Sequence, residues 1–183
     1  MTTEDVSRAM RGDHDAFAAL IGAASTRLYA LACLILRDPA RAEDATQDAF
    51  IRAWREVPRL RDPDKFDAWL RRLVVNSCYD EARRGKRRAE VTLFSVIDRS
   101  VVDSSAALGE TDRIERAFRR LPLEQRSVLV LQHYFSLSHT EIAETLGIAL
   151  GTVKSRVRYG IAAMRSALEA DDRAATPAGR RSA

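Results

Sequence analysis

A chain of 183 residues is long enough for one ordinary domain or two small ones, since about 60 to 90 residues is near the lower limit of independent stability. Its composition, with 31% charged and 46% hydrophobic residues, excludes disordered, fibrous and low-complexity chains. The net charge of +4 is uneven, because an acidic stretch at 89–112 separates two basic parts, which suggests two contacts with a polyanion.

Almost every periodic segment has helical spacing, and this predicts an all-α fold. A first helix contains an apolar stripe from Phe17 to Ile35 and ends at the stretch RDP, Arg37 to Pro39. A second helix extends from about Ala40 to Val57 and is stopped by Pro58.

A third long helix is predicted after the polar loop 58–65. Asp62 and Pro63 provide an N-cap and a first-turn proline, and Gly85 is well placed as the C-terminal stop. The first small helical domain is therefore assigned to residues 1–88.

Residues 89–111 have no clear period and collect Ser, Asp and Gly, which predicts a flexible linker. The apolar stretch VTLFSVI, Val91 to Ile97, could instead pack locally or form a strand. A second small domain is assigned to 112–170, with two helices separated at Leu121–Pro122. The tail 171–183 is small and polar, which predicts disorder.

The cysteines and the amino terminus limit the possible cofactors and compartment. Only Cys33 and Cys78 are present, without a Cys-x-x-Cys pair, so neither a zinc site nor a disulfide scaffold is predicted, and we expect no cofactor. The start MTTEDVSRAM has no apolar stretch of signal-peptide length, and no run reaches the ~18 apolar residues of a spanning helix. A cytoplasmic protein without membrane insertion is expected.

The second domain contains a predicted helix-turn-helix. Ser138 and Glu141 form a capping box that begins a short helix, and Gly147 permits the left-handed turn that ends it. A second helix then begins at Gly151 or Thr152, and two helices joined by a short glycine-containing turn define the motif.

The second helix of this motif has two contrasting faces. Apolar side chains cluster on the inner face: Val153, Val157, Ile161, Met164 and Leu168. The outer face has small hydrogen-bonding groups between cations, which suits a helix in a major groove, where bases face the centre and phosphates the walls. The alternative is that this segment is a three-helix packing unit without a DNA-binding role, whose exposed charges only keep its surface solvated. The predicted duplex-DNA contacts, including the start of the preceding helix, are His139, Thr140, Thr152, Lys154, Ser155, Arg156, Arg158 and Tyr159.

The second helix of the first domain presents an acidic outer edge with an exposed isoleucine. Such a surface suits protein docking, although an ordinary charged helix face would have the same pattern. Its residues are Asp44, Gln47, Asp48, Ile51 and Arg55.

The third helix presents a column of cations interleaved with an amide and an aromatic ring. Rings and guanidinium planes stack on unpaired bases while charges follow the backbone, so the column suits single-stranded DNA. The run RRGKRR extends its charge. The predicted single-strand contacts are Arg72, Asn76, Tyr79, Arg83, Arg84 and Lys86.

Three segments resemble one known family. HTEIAETLGIALGTVKSRVRYG, residues 139–160, is similar to the carboxy-terminal DNA-binding domain of extracytoplasmic-function sigma factors of bacterial RNA polymerase. RAEDATQDAFIRAW, 41–54, and FDAWLRRLVVNSCYDEARRGKRR, 66–88, resemble their amino-terminal core domain. The sequence departs from the family pattern at Ala149, where proline is usual, and at Tyr159 and Gly160.

The resemblance implies a function for each surface. The third helix and the preceding loop would hold the opened non-template strand of the minus-ten element, and the helix-turn-helix would bind the minus-thirty-five duplex. The partners it implies are core RNA polymerase, through the clamp helices of its largest subunit and the flap of the second largest, promoter DNA, and an anti-sigma factor. The protein would initiate transcription at specific promoters.

Two other classes of function are alternatives. Glu43, Asp44 and Asp48 could be metal-binding carboxylates of an enzyme, but Asp44 and Asp48 point to solvent on the helical wheel and no histidine accompanies them. We therefore predict neither a metal nor a catalytic residue. A stand-alone helix-turn-helix regulator would instead bind duplex DNA specifically without polymerase.

Overall fold

The computed structural model describes residues 2–93 and 110–175, with side chains described for 2–87 and 113–173. All regular elements within these ranges are helical, so the predicted all-α class is confirmed. Two single-turn 3-10 helices, Val57–Arg59 and Pro63–Lys65, precede the fourth α-helix. The α-helices are α1 Thr3–Met10, α2 His14–Leu36, α3 Pro39–Glu56, α4 Phe66–Leu93, α5 Glu110–Arg119, α6 Leu123–His133, α7 His139–Leu146 and α8 Leu150–Ala175.

Local capping begins each of the first three helices. The Asp13 carboxylate accepts a hydrogen bond from the Ala16 amide at the start of α2, and Asp38 does the same for Arg41 at the start of α3. α2 ends at Arg37 in a left-handed conformation, with φ of 61°. α1 is an additional helix that was not predicted from the sequence, although Thr2 and Asp5, three residues later, form a capping box at its start.

The first unit, α1 to α4, is built around a helix of small residues. Ala42, Ala45, Ala49 and Ala53 are fully buried along one face of α3, at steps of three and four residues. Small side chains let helix backbones approach closely, and α3 packs mainly against α4 and α2. Because the alanine face is buried, the opposite face of α3 points to solvent.

Gly85 does not end α4, which corrects the prediction that it is the helix stop. The helix continues to Leu93, into the stretch assigned to the linker. A Cβ on Gly85 would lie 2.4 Å from Arg41 Nη2, so the glycine leaves room for that guanidinium and does not form a turn. The remainder of the predicted linker, 94–109, lies outside the described residues.

α2 corrects the expectation that no segment is long and apolar enough to span a membrane. It satisfies that test by length and composition, the one helix to do so in the part of the chain that the structure describes. Leu20, Leu28, Leu31 and Ile35 are nevertheless buried against neighbouring helices. These contacts are typical of the central helix of a globular unit.

The second unit, α5 to α8, packs α8 across α6 and α5. Val153 and Val157 are buried as predicted, but Ile161 is 43% exposed, which corrects its assignment to the inner face. Gly160 takes the inner position, since a Cβ there would lie 3.1 Å from Leu129 Cδ1. The glycine therefore brings α8 close to α6 without interrupting the helix.

α8 extends through residues 171–175, the first five of the predicted disordered tail, which corrects that boundary. Residues 176–183 lie outside the described part of the chain. The domain boundaries 1–88, 89–111, 112–170 and 171–183 are otherwise still predictions.

The two units contact each other through α2 with α6 and α4 with α7. One continuous set of buried apolar side chains joins them. Because α4 is also the helix with the predicted single-strand column, this contact affects the candidate DNA surface.

Candidate nucleic-acid interface

The helix-turn-helix has the predicted local geometry. Ser138 Oγ accepts a hydrogen bond from the Glu141 amide at 3.3 Å, and the Glu141 carboxylate accepts from the Ser138 amide at 2.8 Å. Gly147 is left-handed, with φ of 65°. α8 begins at Leu150, one or two residues before the predicted start at Gly151 or Thr152, so Ala149 does not prevent the helix from forming.

The outer face of α8 displays its cations to solvent. Lys154 and Arg158 are exposed, and Tyr159 is 55% exposed. The Arg158 guanidinium lies 4.9 Å from the centre of the Tyr159 ring, and its Nη2 donates to the Tyr159 hydroxyl at 3.2 Å. Stacking of this kind orients the guanidinium without neutralising it.

Smaller polar groups lie between these cations. Thr152 and Ser155 are half-buried, and Ser155 Oγ donates to the Thr152 carbonyl at 2.9 Å. The Ser155 oxygen can still accept a hydrogen bond, since a hydroxyl has both functions. The face therefore combines small hydrogen-bonding groups with exposed cations, as the sequence predicts.

Two of the predicted duplex contacts are less accessible than the rest. Arg156 is half-buried and lies close to Tyr79 of the first unit, where burial raises the pKa of the phenol and the charge of Arg156 partly opposes that rise. His139 is half-buried, and its Nε2 is fully buried with no hydrogen-bond partner among the described residues. Thr140, beside it at the start of α7, is exposed.

The predicted single-strand column on α4 is open at two positions and covered at a third. Arg72 and Asn76 are exposed. Tyr79 is half-buried, which corrects its assignment to the outward face, and burial raises the pKa of its phenol. Its hydroxyl is fully buried beside Ser127 of the second unit, but the two side chains do not form a hydrogen bond with acceptable geometry.

The cations that follow on α4 differ in their partners. Arg83 Nη2 bonds Asp80 at 2.9 Å while its side chain stays 70% exposed, and Lys86 is exposed. Arg84 bonds Asp48 of α3 and Glu81 of its own helix, each at 2.8 Å. The hydrogen bond that Arg84 donates to Asp48, opposed by burial, raises the pKa of Arg84. Arg84 therefore joins α4 to α3, while Arg83 and Lys86 keep exposed charge.

The predicted docking face of α3 is largely accessible. Asp44, Gln47 and Arg55 are exposed, and Ile51 is 52% exposed. Asp48 is the exception, because its carboxylate is bound to Arg84.

The structure does not favour the carboxylates of α3 as a metal site. Glu43 Oε1 accepts from Gln47, and Asp48 binds Arg84. Within the described ranges, no group of three His, Cys, Asp or Glu side chains is arranged to hold a metal ion.

Sequence reasoning missed a set of arginines that have structural contacts. Arg126 is buried and donates from Nε to the Ile35 carbonyl at 2.7 Å, and Arg27 and Arg71 lie over the ring of Phe135. The acceptor of Arg126 is a backbone carbonyl far away in the chain, so no sequence pattern signals the contact.

Comparison with protein families gives two matches in the order of the two units. The family described as Sigma-70 region 2 matches residues 20–88, and Sigma-70, region 4 matches residues 111–164. Among curated proteins, the chain is 33% identical over 181 residues to the ECF RNA polymerase sigma factor SigW of Bacillus subtilis, which covers 92% of this chain and 97% of that protein. It is 38% identical over 145 residues to the ECF RNA polymerase sigma factor SigM of Mycobacterium tuberculosis, covering 79% of this chain and 73% of SigM.

Two solved structures have a similar fold. CnrH, in complex with the cytosolic domain of CnrY, aligns with a TM-score of 0.66 and 25% identity over 92% of this chain and 97% of that one. RpoE of Bartonella quintana, in complex with the anti-sigma factor NepR, aligns with a TM-score of 0.67 and 23% identity over 85% and 98% of the two chains. The second likeness supports the fold alone.

Proposed function

The chain belongs to the extracytoplasmic-function group of the sigma-70 family, and from that premise we propose that α4 binds opened promoter DNA, α8 reads promoter duplex, and α3 docks on core RNA polymerase. A protein of this family recognises promoters and initiates transcription with RNA polymerase, and it is not an enzyme.

The observation that carries the proposal is the exposure of cations on two separate helices, one in each unit. Lys154 and Arg158 on α8, and Arg72 and Arg83 on α4, have side chains open to solvent. Neutralising phosphates with such groups releases counterions, which supplies most of the affinity for nucleic acid. Two surfaces on two units suit a promoter with two separated elements.

We assign the duplex of the minus-thirty-five element to α8. Thr152 and Ser155 offer hydrogen-bonding groups to base edges, while Lys154 and Arg158 approach phosphates. Thr140 lies at the amino end of α7, where backbone amides and an exposed hydroxyl favour a further phosphate.

We assign the single strand of the minus-ten element to α4. Arg72, Asn76, Arg83 and Lys86 remain accessible for this contact, and Tyr79 would offer a ring for stacking once it is uncovered. Arg84 contributes through position, since its bonds to Asp48 and Glu81 hold α4 against α3.

We assign the polymerase contact to α3. Ile51 supplies an exposed apolar anchor beside Asp44, Gln47 and Arg55, and anchors of this kind inside a polar rim are common in protein interfaces. The expected partners are the clamp helices of the largest subunit for this unit and the flap of the second largest for the other.

We also propose that an anti-sigma factor regulates the protein, which would act in the cytoplasm. The support is that two proteins sharing the fold were solved with a bound partner. CnrH was solved with the cytosolic domain of CnrY, and RpoE was solved with the anti-sigma factor NepR.

Run-off transcription with purified core RNA polymerase and a promoter library tests the proposal. The wild-type protein should stimulate initiation from specific promoters.

Asp44→Lys combined with Ile51→Ala should weaken core-enzyme binding at least tenfold while leaving Asp48 bound to Arg84. Asp15→Lys, a charge reversal on α2 of the same unit, is the control. Absence of specific initiation by the wild type would reject the function, and undiminished binding by the double variant would reject α3 as the docking face.

A further inference from the structure

We propose that the protein closes on itself, with α6, α7 and α8 of the second unit covering part of the single-strand surface of α4 until the two units separate. The inference rests on the proposed function of α4. It concerns a contact within one chain, so it differs from sequestration by a separate protein.

The two units are joined by reciprocal caps on helix ends. Arg126 of α6 is only 7% exposed, and its Nε donates to the Ile35 carbonyl at the end of α2. Arg37, which follows α2, donates in return to the carbonyl of Arg119, the last residue of α5. The final carbonyls of a helix lack intrahelical partners and form the negative end of its dipole, so each guanidinium meets a complementary group.

Arg126 makes this contact specific because its charge is costly to bury. Burial, followed by the nearby charge of Arg37, lowers the pKa of Arg126 to about 10. The same guanidinium also donates to the Leu121 carbonyl of its own unit at 3.4 Å. A buried cation held by carbonyl oxygens retains a favourable environment only while the units stay in register.

A second contact uses the ring of Phe135, which follows α6. The Arg27 guanidinium of α2 lies 4.3 Å from the ring centre, and that of Arg71 of α4 lies 5.3 Å away. Phe135 is only 8% exposed and lines a small cavity together with Leu28 and Leu70 of the first unit. The ring is therefore inserted between α2 and α4, with cations near its face.

This arrangement covers the centre of the single-strand column. The Tyr79 hydroxyl is buried beside Ser127 of α6, with Arg156 of α8 close to it. Arg72 Nη2 would lie 3.8 Å from a Cβ built on Gly147, so the turn of the helix-turn-helix approaches that guanidinium. A stacked base cannot reach Tyr79 in this form, whereas Asn76, which lies between Arg72 and Tyr79 on α4, stays exposed.

Closure should lower the apparent affinity for single-stranded DNA by the fraction of open molecules. A ligand that binds only the open state has its affinity multiplied by that fraction, so a closed population near nine-tenths would reduce the affinity about tenfold. Polymerase and promoter DNA would both favour the open form, because each holds the units apart.

Two variants of the full chain release the caps from opposite sides. Arg126→Met keeps much of the side-chain volume and removes the guanidinium. Arg37→Gly removes the other guanidinium at a left-handed position, φ 61°, where glycine is well tolerated, so α2 should fold normally. Arg120→Ala is the control, since that arginine bonds Asp171 within the second unit. Circular dichroism establishes that each variant is folded.

Small-angle X-ray scattering and binding of a fluorescein-labelled oligothymidylate of twenty nucleotides test the closure. Both released variants should have a larger radius of gyration than the wild type, which should be near the ~16 Å of a compact chain of this length. They should also bind the oligonucleotide about three- to tenfold tighter, although each has lost a positive charge. The control should match the wild type.

Two results would overturn the inference. An unchanged radius of gyration in both released variants would show that the caps do not hold the units together. A larger radius with unchanged oligonucleotide affinity would show that the second unit does not cover the α4 surface. Failure of the proposed function would instead appear as absent run-off transcription, which scattering does not depend on.

Discussion

At the scale of single residues, two arginines converge on one buried carboxylate in the first unit. Glu81 is 2% exposed; Arg41 Nε lies 3.3 Å from its Oε1, and Arg84 Nε lies 2.8 Å from its Oε2. Arg41 also donates from Nη2 to the Glu81 carbonyl at 2.7 Å, a position that Gly85 leaves open. Since a buried charge is costly without a partner, the cluster holds α3 against α4.

Arg41→Met should lower the free energy of unfolding by about 2 to 3 kcal/mol, less than the full cost of breaking a buried ion pair because Arg84 remains. Chemical denaturation measures the change. Arg52→Met is the matched control: Arg52 bonds Asp80 across the same two helices, but both side chains are at least 40% exposed, so its loss should cost under about 1 kcal/mol. Equal effects of the two substitutions would argue against a structural role for the buried pair.

Lys154 gives a second prediction at this scale. Its side chain is exposed on the outer face of α8, where we place a phosphate. Lys154→Ala should weaken duplex binding on all sequences alike and reduce the slope of log affinity against log salt by about 1. Fluorescence anisotropy over a salt series measures both. Arg173→Ala, an exposed cation near the other end of α8, should leave the slope unchanged, and a wild-type slope in Lys154→Ala would remove Lys154 from the DNA contact.

At the scale of elements, α7 depends on a cap that titrates. The hydroxyl of Ser138 and then its backbone amide bond the Glu141 carboxylate, and these bonds hold its pKa below the ordinary value of 4.5. A carboxyl whose pKa is lower in the folded state stabilises the fold above its unfolded pKa, and this contribution disappears as pH falls through the folded pKa. The start of α7 should therefore weaken in acid.

Glu141→Gln tests the titrating cap. Its stability deficit relative to the wild type should be largest near neutral pH and should narrow as pH falls below about 4.5, because the wild-type carboxylate is then protonated. Thermal unfolding midpoints between pH 3.5 and 7 measure the difference. Glu144→Gln, an exposed change on the same helix, should show little narrowing since no cap bond depends on Glu144. A constant deficit for Glu141→Gln would contradict the cap's dependence on charge.

A structural element is predictable from the sequence when the residues that determine it are close together in the chain. The cap at Ser138 and the turn at Gly147 involve neighbours within a few residues, so their patterns identify them. Gly85 has the same local appearance as a helix stop, yet its environment is set by Arg41 on another helix. Tyr79 was placed outward by helical period, but whether it meets solvent depends on Ser127 in the other unit. Contacts between distant segments leave no periodic signal.

At the scale of the whole molecule, the contact between units should couple their stability. Phe135 belongs to the second unit, but its ring packs against Arg27 and Arg71 of the first. Cys78 lies fully buried in α4 of the first unit, and burial raises the pKa of its thiol to about 12. Because the thiolate is the reactive form, alkylation of Cys78 requires the first unit to open.

Phe135→Ala should therefore accelerate the alkylation of Cys78 by iodoacetamide. Cation–π and packing contacts worth about 1 to 2 kcal/mol correspond to roughly a 5- to 30-fold increase in rate. Peptide mass spectrometry at pH 8 separates Cys78 from Cys33 and measures the rate. Tyr159→Ala is the control, because that ring stacks on Arg158 within the second unit. If both substitutions leave the Cys78 rate at the wild-type value, the units unfold independently; if only Phe135→Ala raises it, the first unit depends on a ring that the second one supplies.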